Sequence, residues 1–181
     1  ITTDTKGYAE TKDLPTGEYK IKEITPPPGF ILSDEVKAVT ITSEDKETAV
    51  FELTNKANEV TLTKTDLTTE KPVPGATVEI YSKGGKLFYK GITDKDGKIT
   101  IRELPAGTYT FKETISPDGY TLNVNTFSFE IDAYGKVTGT TSFTDEPIVL
   151  TIKKVDAYIG KPMAGIFFTM KDSDGNIVKT K

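Results

Sequence analysis

Apolar and polar residues alternate along this chain in short runs broken by turn formers, and no stretch holds a helical period. Tyr109, Phe111 and Glu113 fall on one face of such a run, with Thr110 and Lys112 on the other. Val60, Leu62 and Lys64 share a face opposite Thr61 and Thr63, and Phe143 shares one with Asp145, as Leu53 does with Asn55. Turn signals separate the runs at Gly84-Gly85, Asp94-Lys95-Asp96-Gly97, Pro117-Asp118-Gly119 and Tyr134-Gly135. About seven strands in roughly 90 residues predict an all-β protein built of two-sheet sandwich modules, immunoglobulin-like or transthyretin-like.

The modules repeat in tandem. Residues 14–30, LPTGEYKIKEITPPPGF, align without a gap on residues 104–120, LPAGTYTFKETISPDGY, at an offset of 90. The same offset relates Val60–Asp66 to Leu150–Asp156 and Phe51–Asn55 to Thr141–Asp145. Three independent matches at one offset establish the period. On this reading residues 58–147 are a complete module, 1–57 the later part of one and 148–181 the beginning of another. Reading from Lys181 into Ile1 would restore one module of nearly normal length, so both chain ends look like cuts inside a longer protein. Neither a signal peptide nor a sorting signal is visible.

Composition narrows the chemistry. Cys and His are both absent, which removes disulfides, thiol nucleophiles, Cys/His zinc sites and His-based proton transfer. The net charge is −4 and the lysines are scattered, so no basic stripe for nucleic acid is present. No apolar run approaches the length of a membrane span. Small Thr-rich sandwiches outside a cell therefore need some other staple than a disulfide.

The alternation itself points to one. Lys64, Glu113 and Asp145 each continue an apolar row toward the presumed interior, where an unpaired ion costs several kcal/mol. They either reach water at strand ends, form a small buried ion cluster, or react. A Lys amine in apolar surroundings can lose its proton and act as a nucleophile, and a buried Glu can keep its proton and polarise a carbonyl. An Asp or Asn side chain would accept the amine, expelling water or ammonia and leaving an isopeptide bond.

The run Tyr109-Thr-Phe-Lys-Glu113-Thr-Ile-Ser-Pro117-Asp-Gly119-Tyr120 resembles the E-box of the Cna protein B-type domains, also called SpaA-type or prealbumin-like pilin domains, of Gram-positive surface proteins. Lys64-Thr-Asp66 with Pro74-Gly75-Ala76, and the ending Thr144-Asp145-Glu146-Pro147, resemble the same family. The resemblance implies an autocatalytic bond between first and last strands, with Lys64 the amine, Asp145 the acceptor and Glu113 the catalytic acid. In the split module it implies Lys154 as amine, Asn55 as acceptor and Glu23 as acid. Many relatives carry Asn at the acceptor, and Asp145 departs from that form. Lys153 is an alternative amine, although Ile152 and Lys154 share the inward face.

What the resemblance implies for function is a stalk or spacer on the cell surface or cell wall of a Gram-positive bacterium, with neighbouring modules of the same protein as partners. Its chemistry would be a single self-modification rather than enzymatic turnover, without cofactor or metal. Because the family fold sets the two ends of a module roughly 30 Å apart, closure of the split module within one chain is disfavoured. Either an uninterrupted array has been cut, or copies complement one another head to tail. The alternative from another class is an adhesin gripping host matrix or glycan, to which Phe88, Tyr89 and Tyr134 would contribute. Asp94–Gly97 and Asp172–Gly175 hint at calcium loops but lack the rest of an EF-hand, and Asp-Gly hairpins explain them more simply. A glycosidase using paired carboxylates is a third, weaker option. Pro26-Pro27-Pro28 before Gly29 reads as a rigid corner.

Overall fold

The computed structural model describes residues 1–44 and 49–178, in two compact units, Ile1–Pro147 and Ile148–Lys181. Lys181, expected to join onto Ile1, lies outside the described residues. Every regular element described is a strand: β1 (Gly17–Lys22), β2 (Val36–Ile41), β3 (Glu59–Asp66), β4 (Thr77–Ser82), β5 (Leu87–Ile92), β6 (Lys98–Arg102), β7 (Gly107–Ile115), β8 (Thr126–Ile131), β9 (Val137–Gly139) and β10 (Ser142–Asp145). The all-β reading of the sequence therefore stands.

Strands β3 to β10 form two sheets, ordered β10-β3-β6 and β5-β4-β7-β8-β9. Their inward faces follow the alternation: Val60, Leu62 and Lys64 are buried on β3, and Tyr109, Phe111 and Glu113 on β7. Between the sheets lie Leu62, Ile80, Leu104, Phe111 and Phe129, each worth about 1.5–3 kcal/mol when fully buried. Phe111 stacks on Phe127 at 5.3 Å and meets Phe143 of the opposite sheet edge-on at 5.3 Å. The smaller sheet places the first and last strands of the module side by side and parallel, with Phe143 opposite Lys64 and Asp145 opposite Asp66. Because no hairpin can join parallel neighbours, the whole module lies between them in sequence.

The repeat is visible in hydrogen bonds as well as in letters. β1 pairs with β2 from Gly17↔Ile41 to Lys22↔Val36, and β7 pairs with β8 from Gly107↔Ile131 to Lys112↔Thr126. Tyr19 donates to Pro15 O at 2.6 Å as Tyr109 does to Pro105 O at 2.7 Å. In the second unit, Met163 N–H donates to Lys154 O as Val73 N–H does to Lys64 O, both at 3.0 Å.

Long-range strands are a different matter. Residues 51–55 match the β10 region, yet no strand forms there, and Leu53 is exposed rather than turned inward. Residues 150–154, matching the start of β3, form none either. In the complete module those two segments hold each other through a parallel ladder, and a strand lacking its partner has nothing to receive its backbone groups.

The burial pattern separates two chemically identical changes. Ile80→Val, at a fully buried site, costs about 1 kcal/mol. Ile92→Val, on the exposed face of β5, costs close to nothing. Urea-unfolding midpoints of the two variants check the difference.

Candidate functional site

Three strands each deliver one polar side chain to the same point in the core. Lys64 of β3 and Asp145 of β10 come from adjacent parallel strands, and Glu113 of β7 faces them from the opposite sheet. All three are at most 4% exposed. Lys64 Nζ lies 2.5 Å from Asp145 Oδ1, 3.2 Å from Glu113 Oε1 and 3.9 Å above the centre of the Phe143 ring. The strand-end alternative, in which these groups reach water, is not what the fold adopts.

The surrounding backbone holds the trio in place. Lys64 donates its N–H to Gly97 O at 2.7 Å and accepts from Val73 at its own carbonyl. Glu113 Oε2 accepts the backbone N–H of Asn123 at 2.8 Å, which leaves Oε1 on the side of Lys64. The Asn123 side chain donates to Thr144 O at 2.7 Å and so ties this loop to β10 beside Asp145. Asp145 Oδ2 has no hydrogen-bond partner among the described residues. Next to the trio, Asp66 accepts the N–H groups of Thr68 and Thr69 and the Tyr120 hydroxyl, and the Thr69 bond above all holds its carboxyl below the usual range.

Burial pushes the Glu113 carboxyl up from its ordinary 4.5, against the opposing pull of the Asn123 N–H and the Lys64 amine. Glu113 thus keeps its proton under conditions where an exposed glutamate has lost it. With Glu113 neutral, the amine faces a single carboxylate, which lowers the cost of burying the group. The arrangement holds an amine against one carboxyl group with a second alongside, all three buried.

One period earlier, Glu23 Oε2 accepts the Ser33 N–H at 2.8 Å and the Asn55 Nδ2–H at 2.7 Å, and Asn55 also donates to Ile31 O at 2.9 Å. Ser33 and Asn123 fill the same position of the repeat and make the same bond. Glu23 and Asn55 are only partly buried. Lys154 belongs to the second unit and is exposed, as is Lys153, so burial does not choose between the two amines.

Sequence reasoning overlooked the roles of Asn123 and the Phe143 ring. The bond to the glutamate comes from the backbone N–H of Ser33 and Asn123, which any residue but proline carries, so residue type gave no signal for it. The remaining candidates are engaged in local structure. Asp94 Oδ1 accepts from Asp96 and Lys98, and Asp172 Oδ1 from Asp174 and Asn176, each carboxylate closing its own turn. No group of three or more acidic residues suited to a metal stands together among the described residues. Phe88 sets its ring edge against Tyr109, Tyr89 packs on the core and Tyr134 stands exposed in a turn.

Comparison with known proteins adds the family context. A family model described as the SpaA prealbumin-like fold domain matches residues 1–57 and 58–147. Serine-aspartate repeat-containing protein D of Staphylococcus aureus strain Newman is 29% identical over 144 residues, covering 67% of this chain and 11% of that protein. Trypsin-resistant surface T6 protein of Streptococcus pyogenes serotype M6 is 27% identical over 145 residues, covering 77% and 26%. Among solved structures, the Bacillus anthracis TIE protein is 34% identical with a TM-score of 0.53, covering 98% of this chain and 34% of that one. The chain thus spans about a tenth to a quarter of the length of these two curated relatives.

The buried glutamate has a pH signature. In a Lys64→Met/Asp145→Asn background Glu113 is the one ionisable member of the trio, and burial still raises it. Between 4.5 and its raised value the native state holds a proton that the unfolded state has released. Unfolding free energy therefore falls as pH rises through that window. Urea titrations at several pH values read this slope, and adding Glu113→Gln flattens it.

Proposed function

The chain belongs to the family of SpaA prealbumin-like fold domains, and on that footing we propose that it is a structural stalk segment of a Gram-positive surface protein or pilus, stapled by a Lys64–Asp145 isopeptide bond that Glu113 promotes. The observation that carries this reading is the 2.5 Å approach of Lys64 Nζ to Asp145 Oδ1, inside the core and 3.2 Å from a glutamate whose carboxyl burial pushes up from its ordinary value.

In the proposed step the Lys64 nitrogen attacks the Asp145 carboxyl carbon. A C–N bond forms and a C–O bond breaks, and the departing oxygen leaves with two protons as water. Glu113 passes protons between amine and leaving oxygen and ends as it began. Asp145 Oδ2, unbonded among the described residues, is the oxygen suited to leave. The reaction runs once per module, so the protein modifies itself and turns over no substrate.

The bond would join positions 81 apart. By the loop-entropy argument for covalent cross-links this stabilises the module by about 4–5 kcal/mol, comparable to the whole stability of a small domain. It also lies between the first and last strands, so tension applied at the module's two ends passes through an amide instead of through the sandwich. An amide resists reduction, which suits a protein without cysteine.

The contact of Asn55 with Glu23 supports a second bond of the same kind, with Lys154 as amine and ammonia as leaving group. Supplied by another copy, Lys154 would link chains head to tail.

Intact mass under denaturing conditions tests the staple. The chain is expected to lack the mass of one water, and Glu113→Ala to restore it; a full calculated mass for the unsubstituted protein sinks the proposal. For the split module, a denaturing gel is expected to show a ladder that Asn55→Ala abolishes, whereas a single monomer band from folded protein refutes covalent linkage between copies.

A further inference from the structure

We infer that the turn following Pro26-Pro27-Pro28 is an interaction surface whose partner is the next module, and that it locks residues 1–57 and 58–147 into one rigid body. The contact is made by backbone. Gly29 O accepts the Asn58 N–H at 2.8 Å, and the Leu32 N–H reaches Ala133 O at 2.9 Å. Asn58 then secures the receiving loop: its carbonyl accepts the Glu103 N–H, and its side chain donates to Leu104 O, both at 2.9 Å. Asn58 is 1% exposed, an unusual burial for an amide at a module boundary.

The fit at Gly29 allows no added atom, and at Gly135 an added atom would displace the Ile31 side chain of the neighbouring repeat. A Cβ at Gly29 would lie 2.5 Å from Glu103 O, a backbone atom that cannot swing away. A Cβ at Gly135 would lie 2.7 Å from the Ile31 side chain and 2.9 Å from Asn58 Oδ1. The repeat supplies its own control. Gly119 occupies the matching position one period on with φ of +91°, against +90° for Gly29, yet a Cβ built there meets nothing within 4 Å. The turn conformation by itself therefore does not call for the close approach at Gly29.

Domains joined by short linkers ordinarily move relative to one another. Here two interlocking hydrogen bonds and a buried amide replace the linker. A stalk gains reach and direction from such a joint without a further covalent bond, so the lock does not depend on the isopeptide chemistry.

The absence of cysteine allows a direct test. Spin labels placed through Lys20→Cys on β1 and Ser128→Cys on β8 report the distance across the joint by pulsed electron resonance. The parent chain is expected to give one narrow distribution. Gly29→Ala and Gly135→Ala, which wedge the joint from opposite sides, are each expected to widen it at least about twofold toward the freedom of linked domains, and Gly119→Ala to leave it narrow. A broad distribution in the parent, or one that stays narrow in both wedge variants, overturns the lock. Amide exchange in the unsubstituted chain reads the same contact without a variant: protection at Leu32 and Asn58 as strong as in β3 and β7 supports it, and exchange at open-loop rates overturns it.

Discussion

A lysine amine enclosed with two carboxyl groups in an apolar interior is the interaction on which the complete module depends. Charges taken out of water repay their desolvation only in close, well-oriented company, and the module provides that company from three strands. The parallel pairing of β3 with β10 brings Lys64 and Asp145 together across the full length of the module. The opposite sheet supplies Glu113, and the Asn123 loop fixes that glutamate by one oxygen so that the other faces the amine. Loss of Lys64 or Asp145 from its place would leave an uncompensated ion in the core. The sheet order and the site thus impose the same geometry.

The incomplete repeats show which parts of the fold are local. The β1–β2 hairpin, the Tyr19 bond to Pro15 and the Glu23–Ser33 contact all form within 1–57, as their counterparts do in the complete module. The second unit keeps the turn around Lys154 and Met163. Strands that need a partner from the other end of a module do not form. Short-range hydrogen bonds close with little loss of chain entropy, whereas the first and last strands of a repeat pair only where both segments are present, as β3 and β10 are. An acid and an acceptor assembled at Glu23 and Asn55 without an amine follow directly from this division.

Two kinds of constraint then act at different scales. Within a module, the packing of two sheets holds a buried amine against a carboxyl, 2.5 Å apart. Between modules, backbone hydrogen bonds and glycines with no room for a side chain set the joint. Both suit the structural role proposed for the chain, and neither requires a disulfide.

Much of this was legible in the order of residues. Period-two alternation placed Lys64, Glu113 and Asp145 on inward faces, because successive side chains on a strand must point to opposite sides. The turn residues marked the ends of strands, and the 90-residue offset related the hairpin of β1 and β2 to that of β7 and β8. Alternation assigns a side chain to a face but says nothing of which strands lie side by side. It therefore could not show that Asn123 would hold Glu113, that the Phe143 ring would lie under the amine, or that Leu53 would remain exposed for want of a partner strand. The proline-rich corner read as a turn in the sequence, and only the packing of Gly29 against Glu103 revealed it as a joint. Those features depend on contacts between residues far apart in the chain, which sheet order and three-dimensional packing alone decide.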